Sequence, residues 1–157
     1  MEPLPLFIVL LVLILLSGFF SATETALTSF NRIKMKSLAT AGDKRALRVL
    51  KLDESYDKLI TTILIGNNIV NIGCSSVATV LCINLFGDAG AAISTVAVTI
   101  LVLIFGEVLP KCMAKEKPES FCLATAGSLL GFMTILTPLV FLFVVLKSLA
   151  LKIFTKG

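Results

Sequence analysis

Histidine and tryptophan are absent from the 157 residues, tyrosine occurs once, and only 15% of the side chains carry charge. Without histidine, the four cysteines, Cys74, Cys82, Cys112 and Cys122, would have to make a zinc or haem site alone, and no two of them have CxxC spacing. They read as reduced, small apolar side chains. The formal charge of +4 has no aromatic residues interleaved with it, which argues against nucleic acid as a partner. No nucleophile with a credible base is visible, so an enzyme is not expected. Met1-Glu2-Pro3 carries no positive n-region, and the apolar run behind it is longer than a signal peptide's core. That run is expected to be a retained transmembrane segment.

What the chain has in abundance is apolar side chain, at 57% of residues and a mean hydropathy of +1.00. A soluble domain is not this apolar. Four apolar stretches, Leu4 to about Leu27, Leu59 to Phe86, Ala89 to Leu109 and Phe121 to Leu146, are each long enough for about 30 Å of hydrocarbon. All 14 Lys and Arg residues fall in three clusters: eight from Arg32 to Lys58, three from Lys111 to Lys117 and three from Lys147 to Lys156. The N-terminus and the turn from Asn84 to Gly90 have none. The positive-inside rule then puts those two outside and the three clusters in the cytoplasm. The expected protein is multi-pass in the cell membrane, with its N-terminus outside and its C-terminus cytoplasmic.

This orientation places both ends of the fourth stretch on one side, so it cannot cross once. Pro138 has no N–H and restricts Thr137, which suggests a break there. The expected fold is an all-α membrane protein with three transmembrane helices, juxtamembrane amphipathic helices and a re-entrant or belt-like C-terminal helical pair. The alternative is a fourth span with the C-terminus outside. Between Asn31 and Asp57 the apolar and basic residues alternate around Ala41-Gly42-Asp43, where Gly42 suits a C′ position and Asp43 an N-cap. Two short helices fit, lying on the membrane surface or serving as a solvated linker.

Polar residues inside the spans carry the functional signal. Ser17, Ser21 and Thr25 recur at i, i+4 and i+8, so one helical face carries hydroxyls, either for close helix packing or to line a path. Glu24 sits near the end of that span, within reach of a basic partner such as Arg32. In the second span Asn67 and Asn71 share a face, Asn68 flanks it, and Gly66 and Gly73 bracket the group. Polar groups in hydrocarbon must find partners; interhelical hydrogen bonds and a cavity lined by amide oxygens both provide them. The third span ends in Gly106-Glu107-Val108-Leu109-Pro110-Lys111. A carboxylate deep in a membrane helix costs on the order of 3 kcal/mol. Pro110 has no N–H for the carbonyl of Gly106, four residues back, and a kink or π-type distortion is expected there. An intrahelical Glu107–Lys111 pair is the competing account. Hydroxyl, amide, carbonyl and carboxylate oxygens suit a hard cation, with Mg²⁺ weakly preferred to Ca²⁺ and Na⁺ still open.

Three motifs, Ser17-Gly18-Phe19-Phe20-Ser21 with Glu24-Thr25-Ala26-Leu27, Gly66-Asn67 with Val70-Asn71, and Phe105-Gly106-Glu107-Val108-Leu109-Pro110-Lys111, resemble the transmembrane domain of the CNNM (cyclin M) and CorC magnesium transport family. The resemblance implies one domain over residues 1–157, a homodimer in lipid, and Mg²⁺ held in a cytoplasm-open pocket by Ser21, Asn67, Asn71, Glu107 and backbone oxygen near Gly106. Ser17, Asn68, Pro110 and Lys111 would support that site. It also implies Mg²⁺ export, in some members driven by Na⁺ entry, and cytosolic CBS domains in the full-length protein. A membrane sensor or scaffold that binds Mg²⁺ without moving it is the other function this reading allows.

Overall fold

The computed structural model describes residues 2–155, so Lys156 of the last basic cluster lies outside the described residues. All the regular structure described is helical. Helix α1 spans Pro3–Ser29, α2 Arg32–Thr40, α3 Lys44–Glu54 and α4 Tyr56–Phe86. After a short turn at Gly87–Ala89 follow α5 (Gly90–Leu101), a π-helical segment (Val102–Val108), α6 (Leu109–Glu116) and α7 (Pro118–Thr155).

Three helical runs are long and apolar enough to cross a membrane: Pro3–Ser29, Tyr56–Glu116 and Pro118–Thr155. The second is a hairpin. Gly87 turns the chain at φ +72°, a left-handed conformation that suits glycine. The arms then close tightly: a Cβ on Gly90 would lie 2.5 Å from the Cys82 carbonyl, and Thr79 Oγ1 shares a 3.3 Å hydrogen bond with Ser94 Oγ. With α1, the two arms make the three expected spans.

Lipid gives apolar side chains no reason to prefer a neighbouring helix, so the spans are held by close packing at small residues. Helix α1 is the centre of this packing. Leu13 meets Gly73, Phe20 lies over Gly66, and Gly18 faces the Phe105 carbonyl and Pro110. The first pairs run antiparallel, 13 with 73 and 20 with 66, so α4 returns alongside α1. The lipid-facing side of α1 carries Leu4, Phe7, Ile8, Leu11 and Leu15, all exposed.

The juxtamembrane helices form as their caps predict. Asn31 Oδ1 accepts from the N–H groups of Ile33 and Lys34, and Asp43 Oδ1 accepts from Arg45 N–H at 2.9 Å. Gly42, between them, has φ +100°. Helix α3 buries Ala46, Val49 and Leu52 and packs against α7. The guanidinium of Arg32 makes two bonds to Asp53, at 2.8 and 3.0 Å. These bonds hold the Arg32 proton more firmly than water would.

Helix α7 corrects the expected helical pair: it is one continuous helix of 38 residues with Pro138 inside it. The turn before the proline is tied down by side chains, Thr134 and Thr137 donating to the carbonyls of Leu130 and Met133. Neither bond reaches the Thr134 carbonyl, the acceptor that Pro138 leaves without its usual N–H, and the helix nonetheless runs on. Glu119 accepts from Asn31 N–H, Phe132 packs on Phe19 and Phe20, and residues from Leu130 to Val144 face the corner formed by Lys51, Ser55 and Lys58. Helix α7 therefore packs against α1, α3 and α4.

Candidate functional site

The site forms where α1, α4 and the π segment meet. Its first component is a glycine contact. Gly106 packs so closely on α1 that a Cβ there would stand 2.8 Å from Ser17 Oγ and 3.3 Å from Ser17 Cβ. Next to Ser17 on α1, Gly18 accepts the backbone of the same segment, with the Phe105 oxygen 3.2 Å from the place a Cβ would take. Only small residues let two backbones meet at this range.

The π register follows from Gly106 and Pro110 together. Leu109 donates its N–H to the carbonyl of Ile104, five residues back. In that register the N–H missing from Pro110 would have gone to Phe105, not only to Gly106 as in α geometry. Sequence reasoning missed the Phe105 carbonyl because the shift from four to five residues becomes visible only in the folded helix. The signal available was the expected π distortion itself, since a five-residue count back from Pro110 ends on Phe105.

The second component is polar. Ser17, fully buried, donates to Asn71 Oδ1 at 2.8 Å and lies 3.4 Å from Asn67 Oδ1. A hydroxyl has one proton, so the shorter bond takes it and Asn67 sits at the long limit. Both asparagines are half-buried, whereas Asn68 is exposed and turned away from this cluster. Ser21, one turn from Ser17 on the same face, is 1% exposed. Its Oγ is the buried side-chain oxygen without a hydrogen-bond partner among the described residues. A hydroxyl left so costs about 1–3 kcal/mol and calls for an explanation such as a bound ion or water.

Glu107 is half-buried and Lys111 exposed. Among the described residues the ion pairs are Arg32–Asp53 and Arg45–Asp43, so Glu107 is not paired with Lys111. The proposed Glu24–Arg32 contact does not form either, because Arg32 is taken by Asp53. The described residues contain no group of three or more His, Cys, Asp or Glu side chains placed to hold a metal. A cation held at Ser17, Ser21, Asn67 and Asn71 would be met by neutral oxygens, donors that suit a hard ion which keeps part of its water.

A bundle of apolar helices with a buried junction of oxygen atoms defines a multi-pass membrane domain, and the comparisons give its family. The chain belongs to the cyclin M transmembrane N-terminal domain family, whose profile matches residues 8–156. It is 39% identical over its whole length to a UPF0053 protein of Haemophilus influenzae, covering 36% of that protein. It is 41% identical to the UPF0053 inner membrane protein YfjD of Escherichia coli, over 81% of this chain and 30% of that one. It is also similar to the polyamine export protein of Haemophilus influenzae, at 31% identity over 98% of this chain and 39% of the relative. The chain thus spans about a third of the length of these relatives. The family is one of transmembrane domains.

Proposed function

We propose that this domain transports Mg²⁺ across the cell membrane through the junction of α1, α4 and the π segment, as an exporter whose coupling ion is Na⁺. The observation that carries this reading is Ser21 Oγ, buried without a partner among the described residues beside the Ser17–Asn71 bond. Ser21, Asn67, Asn71, Glu107 and the backbone oxygen near Gly106 are the proposed ligands, with Glu107 as the charge. Two features support a small ion. The oxygens come from a junction that glycines close tightly, and Mg²⁺ takes ligands at about 2.0 to 2.1 Å. The working unit is a homodimer in lipid, and the longer relatives leave room for the cytosolic CBS domains of a full-length protein.

Reconstituted into liposomes with a Mg²⁺ dye inside, the protein is expected to show gradient-dependent flux that Glu107→Gln reduces at least tenfold. Mg²⁺ binding without flux under any Na⁺ gradient supports the sensor reading instead. The relative named for polyamine export favours a second cargo, so the same vesicles should be tested with a labelled polyamine. Polyamine flux that Mg²⁺ does not compete would move the assignment to an organic cation. The basic clusters support an orientation with the 84–90 turn outside. A cysteine in place of Asp88 is then expected to react with an impermeant thiol reagent from outside, and one in place of Lys115 only from inside; the reverse pattern sinks the orientation.

A further inference from the structure

A cavity lies away from the polar junction, between α3, the start of α4 and the middle of α7. Its volume is about 320 Å³. Two lysines, Lys51 and Lys58, stand on one side with Ser55 between them, and Val140, Phe141 and Val144 of α7 form part of the opposite wall. The two sides differ in chemistry. Lys58 is the last charged residue before the apolar run of α4 begins at Leu59, so its ammonium marks the level where that span leaves the hydrocarbon. Phe141 is 70% exposed, in a stretch whose composition belongs in lipid.

The charge balance within the cavity is positive. Asp53, the nearby carboxylate on α3, is occupied by Arg32. Glu54 and Asp57 line an adjoining hollow that shares only Ser55 and Lys58 with this one. The hydroxyls of Thr62, Thr134 and Thr137 donate to carbonyls of their own helices, which leaves their oxygens as acceptors and the lysines as the free donors. A lysine pair over an apolar wall at the membrane boundary matches a molecule with a negative head and a hydrocarbon tail.

We propose that this cavity binds an anionic phospholipid, its phosphate between Lys51 and Lys58 and the upper part of an acyl chain along Val140, Phe141 and Val144. The same headgroup chemistry could in principle be met by free phosphate, but a soluble anion has no use for the apolar wall. Bound there, the lipid wedges α3 against α7, whose Phe132 rests on Phe20; the Phe20 ring in turn covers Gly66, next to Asn67. This site stands independently of which cation the junction carries.

The test is native mass spectrometry of the purified protein in detergent, titrated with phosphatidylglycerol, with phosphatidylcholine and with inorganic phosphate. Lys51 and Lys58 are both exposed, so Lys51→Gln/Lys58→Gln leaves the fold intact and is expected to weaken phosphatidylglycerol binding about tenfold or more. The charge-matched control Lys36→Gln/Lys44→Gln, on residues outside the cavity, is expected to stay within about twofold of the parent. Three outcomes overturn the proposal: equal binding of the two lipids, equal loss in the control variant, or inorganic phosphate binding as tightly as phosphatidylglycerol.

Discussion

Two prolines lie in the interior of long apolar helical runs of this protein, and the chain treats them differently. Pro110 follows a π-helical segment, while Pro138 lies within an unbroken helix. Each removes one N–H, so the missing donor alone cannot explain the difference. The surroundings do. Four residues before Pro110 is Gly106, buried against Ser17, and the proline ring itself meets Gly18 of α1, 3.1 Å from where a Cβ would stand. Four residues before Pro138 is Thr134, exposed, its hydroxyl bonded one turn back. A membrane helix departs from α geometry where a neighbouring backbone comes close enough to hold the new register.

The largest effect should come from filling that contact. Gly106→Ala puts a methyl 2.8 Å from Ser17 Oγ, and Ser17 is fully enclosed and cannot retreat. We expect a loss of about 1–3 kcal/mol of stability, typical of overpacking, and loss of Mg²⁺-dependent protection in thermal melts. Gly131→Ala on α7, where nothing lies within 4 Å, should change the melt by no more than about 0.5 kcal/mol. If both alanines behave alike, the glycine at the junction is not there for close approach.

The next effect separates a ligand from a packing residue. Ser21 Oγ has no partner to lose among the described residues, so Ser21→Ala in chelator should leave stability unchanged within about 0.5 kcal/mol, or raise it slightly. Saturating Mg²⁺ stabilises a protein that binds it only when folded, and that gain is expected to shrink in the variant. A destabilised metal-free protein with an undiminished Mg²⁺ gain would show that the hydroxyl serves the fold.

The contrast between the prolines also marks what could be read from the residues. Spans show through hydropathy because lipid demands about 20 apolar residues of any helix that crosses it; α1 and the arms of the hairpin meet that demand. The caps at Asn31 and Asp43 were legible because they are local, needing only a side chain and the next turn. The π segment was legible as a distortion, through Gly106 and Pro110, but its register was not, since Gly18 and Ser17 come from a span nearly ninety residues earlier. The oxygens of Asn67 and Asn71 could be placed on one face, yet their meeting at Ser17 depends on how α4 crosses α1. Pro138 misled for the same reason: nothing near it in sequence tells whether a neighbour holds the break open.

The smallest effect tests α7 directly. Replacing Pro138 with alanine restores an N–H for the Thr134 carbonyl, and in a helix that already continues through this point the change adds one backbone hydrogen bond. That is a gain of about 1 kcal/mol at most, with no change in Mg²⁺ binding, because Pro138 lies on the exposed part of α7 away from the junction. Far-UV circular dichroism gives the sharper reading. A continuous α7 leaves the helical signal of Pro138→Ala equal to that of the parent, since no residue changes conformation. A chain that in the membrane breaks at Thr137 and returns as a hairpin would instead gain helix when the proline is removed, and its C-terminal lysines would be carried away from the side where Lys115 is found. An increase in ellipticity would therefore restore the paired arrangement and remove the continuous helix packed on α3; an unchanged signal leaves Pro138 as a proline the helix simply accommodates.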